Sequence, residues 1–136
     1  MTDSNNSAIE SARAALDGFM AAFNARDAEA IRTRWFHFPH VRFHSGKVTV
    51  MQTPGDYHNL VWRGAGQSTA RGHSDWGYSV WDYREAIDAG LEKVHFRVQF
   101  TRYCADGSAI GSYRSLYIVT LQDGRWAIQA RSSWAE

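Results

Sequence analysis

Three histidines crowd one short stretch of this chain: His37, His40 and His44. Imidazole is the side chain that exchanges a proton near neutral pH, so such a segment is a candidate source of a general base. His37 and His40 are three apart with Pro39 between them, which is not the helical spacing of a metal pair. On a strand, His40 and His44 would share one face and Val41 and Phe43 the other. The plainer account, and the expectation here, is surface or interface histidines. A second candidate is His73 with Asp75, a base and its orienter on a loop, against ordinary Ser, Asp and Gly turn chemistry. Asp27 is explained as a helix cap. Gly64-Ala65-Gly66 lacks the third glycine and the preceding strand of a dinucleotide motif. Cys104, the single cysteine, reads as a spectator thiol that cannot form an internal disulfide. No metal site and no cofactor are expected.

The elements that must position these residues follow from periodicity. Residues 1–6 read as a polar tail ahead of one domain, 7–136. Ser7 and Glu10 form a capping-box pattern, and Ile9, Ala12, Leu16, Phe19, Met20 and Phe23 then make one apolar stripe. Asp27 predicts a second, short helix through Ile31. Val41–His44 and Val48–Met51 predict a small hairpin around Ser45-Gly46-Lys47. Thr53-Pro54 opens a third helix carrying Tyr57, Leu60 and Val61. Residues 63–77 hold four glycines and read as a long loop of the lid or binding kind. Four strands follow, near 78–87, 94–101, 112–121 and 125–134, with hairpin signals at Asp106-Gly107 and Asp123-Gly124. Helices ahead of a meander imply an α+β fold with the helices on one face of the sheet.

The whole composition fits one such domain. The 136 residues include six Trp, six Tyr and seven Phe, ample material for a core. A net charge of +1, with basic residues scattered, argues against a nucleic-acid partner. The start MTDSNNSAIE lacks the pattern of a signal peptide, and no apolar run approaches membrane-spanning length. The expectation is a cytoplasmic protein with no membrane partner.

Two strings carry a resemblance. One is Phe23-Asn24-Ala25-Arg26-Asp27-Ala28-Glu29-Ala30-Ile31; the other is Ser115-Leu116-Tyr117-Ile118-Val119 followed by Asp123-Gly124-Arg125-Trp126-Ala127-Ile128-Gln129-Ala130-Arg131-Ser132-Ser133. With the element order, they resemble the nuclear transport factor 2-like superfamily, which includes SnoaL-like polyketide cyclases, ketosteroid isomerase, scytalone dehydratase and limonene epoxide hydrolase. The resemblance runs from about residue 8 to 134. It implies a cone-shaped α+β barrel, N-terminal helices packed on a strongly curved antiparallel sheet, with a pocket between them. Function does not come with that fold, which hosts isomerases, dehydratases, hydrolases and binders alike. An ungapped comparison with ketosteroid isomerase places its tyrosine on Phe19, its proton-moving aspartate on Phe43, and its oxyanion-hole acid on or near Tyr117. Phenyl rings transfer no protons, so steroid isomerase activity is not expected. Scytalone dehydratase uses a His–Asp pair, but its positions do not match His73 and Asp75 residue by residue.

The same comparison implies facing. Phe96, Val98, Phe100, Tyr117, Val119, Gln129, Arg131 and Ser133 would point into the pocket, provided no bulge inverts a strand. Its walls would be Phe19, Phe43, Tyr57, Phe96 and Phe100, and its polar end Tyr117, Gln129 and Arg131. Arg131 could hold a carboxylate or enolate there, or else pair internally with a carboxylate such as Glu85. Leu116, Ile118, Trp126, Ile128 and Trp134 would form an apolar outer face suited to a homodimer. Three functions compete: a small-molecule-binding SnoaL-like domain taking an apolar or aromatic ligand; an isomerase, dehydratase or cyclase with His44 or His73 as base; and a non-catalytic dimeric module whose pocket is packed shut.

Overall fold

The computed structural model describes residues 3–57 and 76–134. Leu60, Val61, the glycine-rich segment up to Asp75, and with it His73, lie outside the described residues. In chain order the elements are α1 (Asp3–Asn24), α2 (Ala28–Ala30), a π-helical turn (Ile31–Trp35), β1 (Phe36–His44), β2 (Lys47–Met51), α3 (Pro54–Asp56), β3 (Trp76–Ala89), β4 (Lys93–Cys104), β5 (Ala109–Gln122) and β6 (Arg125–Ser133). The six strands form one curved sheet in the order β2-β1-β6-β5-β4-β3. Every neighbouring pair is antiparallel except β1 with β6, which run parallel.

Helix α1 begins at Asp3, four residues ahead of the Ser7 start that the capping box predicts. Its buried stripe (Ile9, Ala12, Leu16, Phe19) is the one read from spacing, and it packs with Phe36, Phe96, Val98, Val119 and Ile128. Each of the larger side chains removed from water contributes about 1.5–3 kcal/mol, so this seam holds helix to sheet. The helix stops where Arg26 turns left-handed, at φ 56°. Asn24 then ties its end to β3: its Nδ2 donates to Ser79 O (2.9 Å), and Ser79 N donates back to its Oδ1 (2.8 Å). Asp27 caps α2 as expected, accepting from Ala30 N at 3.0 Å.

Strand β1 starts at Phe36, five residues before Val41, and carries Pro39 inside it. Proline donates no ladder hydrogen bond, and the β1–β6 register slips between Phe36 and Val41, the one stretch that can accept it. The Asp123-Gly124 hairpin has both residues at positive φ (54° and 72°), the twist that joins β5 to β6 tightly. Gly77 lets β3 approach the β4 end: a Cβ there would sit 2.7 Å from Ala105 N. Since backbone cannot move aside as a side chain can, Gly77→Ala should destabilise the domain by about 1–3 kcal/mol, read as a lower urea midpoint with unchanged slope.

Candidate functional site

One irregularity decides what the sheet shows to α1. Ile118 pairs with Ala130 but Val119 pairs with Ile128, so Gln129 is an extra residue on β6. The strand therefore changes face. Ile128 turns into the core and is fully buried, and Trp126 packs against that core, so neither belongs to the outer face that simple alternation assigns them. Gln129 turns away from the pocket. Its Oε1 accepts from Thr120 Oγ1 (3.1 Å) and from Gln122, and its Nε2 donates to Pro39 O. Beyond the bulge Arg131 faces inward, opposite Tyr117.

Strand β1 reverses a second assignment. Arg42, not Phe43, lines the cavity, because Arg42 is the register partner of Arg131. Phe43 is 41% exposed and sits over an outer depression with Leu116, Ile118, Ala130 and Ser132. Apolar alternation ordinarily marks the inward face, and here the polar set of β1 points in. His37 and His40 are buried, not surface residues. Histidine 37 accepts a core place because its Nε2 meets the carbonyl oxygens of Arg125 (2.9 Å) and Thr120 (3.2 Å). His44 is half-buried and is not among the residues lining the cavity.

The cavity lies between α1 and the sheet, with about 570 Å³ of empty space including its solvent-open mouth. Phe19, Met20 and Phe23 from α1 form one wall; Phe100, Tyr113 and Tyr117 from β4 and β5 form the other. Trp81 stands edge-on to Tyr117 at 5.6 Å and fixes its ring. Of the expected pocket residues, Phe19, Phe100, Tyr117 and Arg131 line this space, while Phe96 and Tyr57 are sealed in the core behind it.

Its polar groups are three arginines, Arg42, Arg102 and Arg131, with Ser79, Ser115 and Ser133 and no carboxylate among the described lining. Arg102 lies over the Tyr113 ring at 4.9 Å. Arg131 is 9% exposed. Its guanidinium carbon stands 4.9 Å from the Phe36 ring centre, and its Nε donates to His40 Nε2 at 3.2 Å. His40 Nδ1 in turn donates to the Ile128 carbonyl at 3.0 Å, since a carbonyl can only accept. That fixes the tautomer: Nε2 carries no proton and His40 is neutral. Burial above all, then the charge of Arg131, holds its pKa well below 6.5. The ring stacks on Phe36 at 3.9 Å, so His40 acts as a rigid bracket for Arg131. Arg131 Nη2 is buried with no hydrogen-bond partner among the described residues. Glu85, the internal partner considered from sequence, pairs instead with Arg97 at 2.6 Å. Arg42 is pushed down to about 10, first by burial and then by Arg131. Arg42 and Arg131, two cations with no ion pair among the described residues, are costly in a partly dry pocket and are best relieved by an anion.

Arg42, Arg102 and Tyr113 were not among the residues singled out from sequence. Extending the inward alternation of Phe96, Val98 and Phe100 by one step reaches Arg102, and extending Tyr117 back through Ser115 reaches Tyr113. Among the described residues no group of His, Cys, Asp and Glu is placed to hold a metal ion, and no helix is long and apolar enough to cross a membrane.

Comparison with known proteins agrees with this architecture. A family model described as NTF2-like protein (DUF6841) matches residues 9–133. A solved NTF2-like protein with a cystatin-like fold from Novosphingobium aromaticivorans superposes with a TM-score of 0.69 at 15% identity, covering 92% of this chain and 79% of that one. A protein of unknown function with a cystatin-like fold from Nostoc punctiforme gives 0.68 at 10% identity, covering 93% and 89%. A ketosteroid isomerase-like protein from Erwinia carotovora gives 0.64 at 16% identity, covering 93% and 96%. At these identities the likeness is one of fold. No curated protein matches the chain.

Proposed function

The chain belongs to the NTF2-like protein family DUF6841, and from that premise we propose that it binds a small organic molecule with an apolar or aromatic body and an oxyanion. The oxyanion would sit at Arg131 and Arg42, and the body against Phe19, Phe23 and Phe100. The observation that carries this is Arg131, which lines the cavity and whose buried Nη2 has no hydrogen-bond partner among the described residues. Such a donor costs about 1–3 kcal/mol or more if it stays unmet, and an oxyanion meets it. The described lining contains no His, Asp, Glu, Lys or Cys, which favours binding over proton transfer by a His base. An open cavity speaks against a module packed shut by its phenylalanines. Benzoate should raise the melting temperature in a dose-dependent way and its neutral isostere benzamide should not. Equal shifts from both, or none from either benzoate or other aromatic oxyanions, would count against the reading.

We also propose that a homodimer forms through the outer face, where Phe43 is exposed beside Leu116 and Ile118 and Val48 and Val50 are exposed on the neighbouring strand β2. Ile118→Asp should then elute as a monomer in size-exclusion chromatography. An unchanged dimer profile would contradict it.

A further inference from the structure

We infer that the oxyanion this cavity takes is doubly charged, an organic phosphate monoester or a group of the same charge and shape, in preference to a monocarboxylate. The inference rests on the oxyanion reading above and sharpens it. Arg42 and Arg131 are direct register partners on adjacent parallel strands, and both line the cavity. The backbone ladder therefore sets the two arginines side by side on one face, and Arg131 is the first charge to act on Arg42. The Arg42 side chain makes no hydrogen bond or ion pair among the described residues, and the Arg131 guanidinium makes one hydrogen bond there, Nε to His40, beside its ring contacts with Phe19 and Phe36. One carboxylate would neutralise one of these two charges and leave the other facing it. A group carrying about two charges neutralises both.

Donor count points the same way. A carboxylate has two oxygens, whereas a phosphate monoester presents three terminal ones. Besides the two arginines, Ser133 lines the cavity two positions beyond Arg131 on the same strand. The aromatic wall stays available for the ester's organic part. Planar guanidiniums suit this geometry because each offers paired N–H groups to two oxygens at once.

Phenyl phosphate, benzoate and benzenesulfonate form the test, titrated calorimetrically into the full chain between about pH 5.5 and 8. Phenyl phosphate gains its second charge near pH 6, whereas the other two stay singly charged throughout and report any change in the protein itself. At the alkaline end phenyl phosphate should bind roughly tenfold or more tighter than benzoate. Its advantage should shrink as the proton comes on, and Arg42→Gln should erase it. Should that variant fold poorly, the pH profile of the unaltered chain still decides. Benzoate binding as tightly as phenyl phosphate at pH 8 would overturn the double charge and leave the oxyanion reading standing. No binding by any of the three would overturn both.

Discussion

Acidification below about pH 6.5 should destabilise the domain steeply, because two histidines are folded into it in neutral form. An unfolded histidine takes its proton near 6.5, whereas folded His40 resists until far lower and His37 until somewhat lower. In that interval the unfolded chain binds more protons than the folded one, so stability is full above 6.5 and falls as the pH drops. Each histidine contributes a slope of up to about 1.4 kcal/mol per pH unit. No carboxylate is among the groups that act on His40 to relieve its charge. His40 faces the Arg131 guanidinium on Nε2 and lies near Arg42, while the Ile128 carbonyl already uses Nδ1. His37 meets two carbonyl oxygens but also faces Arg125. Urea unfolding followed from pH 7.5 to 5 should show the slope, and His40→Gln should remove its larger part. A variant that keeps the full slope would show that some other group titrates.

Arg131→Met should abolish binding of aromatic oxyanions, by roughly 10- to 100-fold or more for the lost charge-assisted hydrogen bonds, without unfolding the protein. Methionine keeps an unbranched stem to fill the space beside Phe19 and Phe36. It also removes a buried charge whose Nη2 has no partner among the described residues. Against that gain stands the His40 Nε2 left without its donor, a loss of about 1 kcal/mol. Stability should therefore stay within about 1 kcal/mol of the parent while the ligand-induced rise in melting temperature disappears. A destabilisation of several kcal/mol would mean instead that Arg131 is a structural strut.

Those two residues mark the limit of what could be read from the chain itself. The helix stripe, the hairpin turns and the four long strands were legible because each rests on a local rule of spacing or turn chemistry. Inward facing at Phe96, Phe100 and Tyr117, which the family comparison implies, agrees with their burial or their place in the cavity lining. Facing at Gln129, Ile128 and Trp126 does not, because a single extra residue on β6 shifts the phase and nothing local announces it. Phe43 failed for a different reason. The family comparison sets Phe43 in the pocket, yet β1 turns Arg42 inward to stand beside Arg131. The burial of His40 needed a partner 91 positions away to become sensible. Function-bearing exceptions to local pattern are where sequence reasoning is expected to break.

A crystal structure of the protein soaked in an aromatic oxyanion such as benzoate tests the central claim most directly. The account predicts the carboxylate within hydrogen-bond distance of Arg131 Nη2 and beside Arg42, its ring against Phe19 and Phe100, and His40 still bridging Arg131 to the Ile128 carbonyl. An Arg131 guanidinium paired with a carboxylate of the protein's own chain, in a cavity that excludes the ligand, would contradict it.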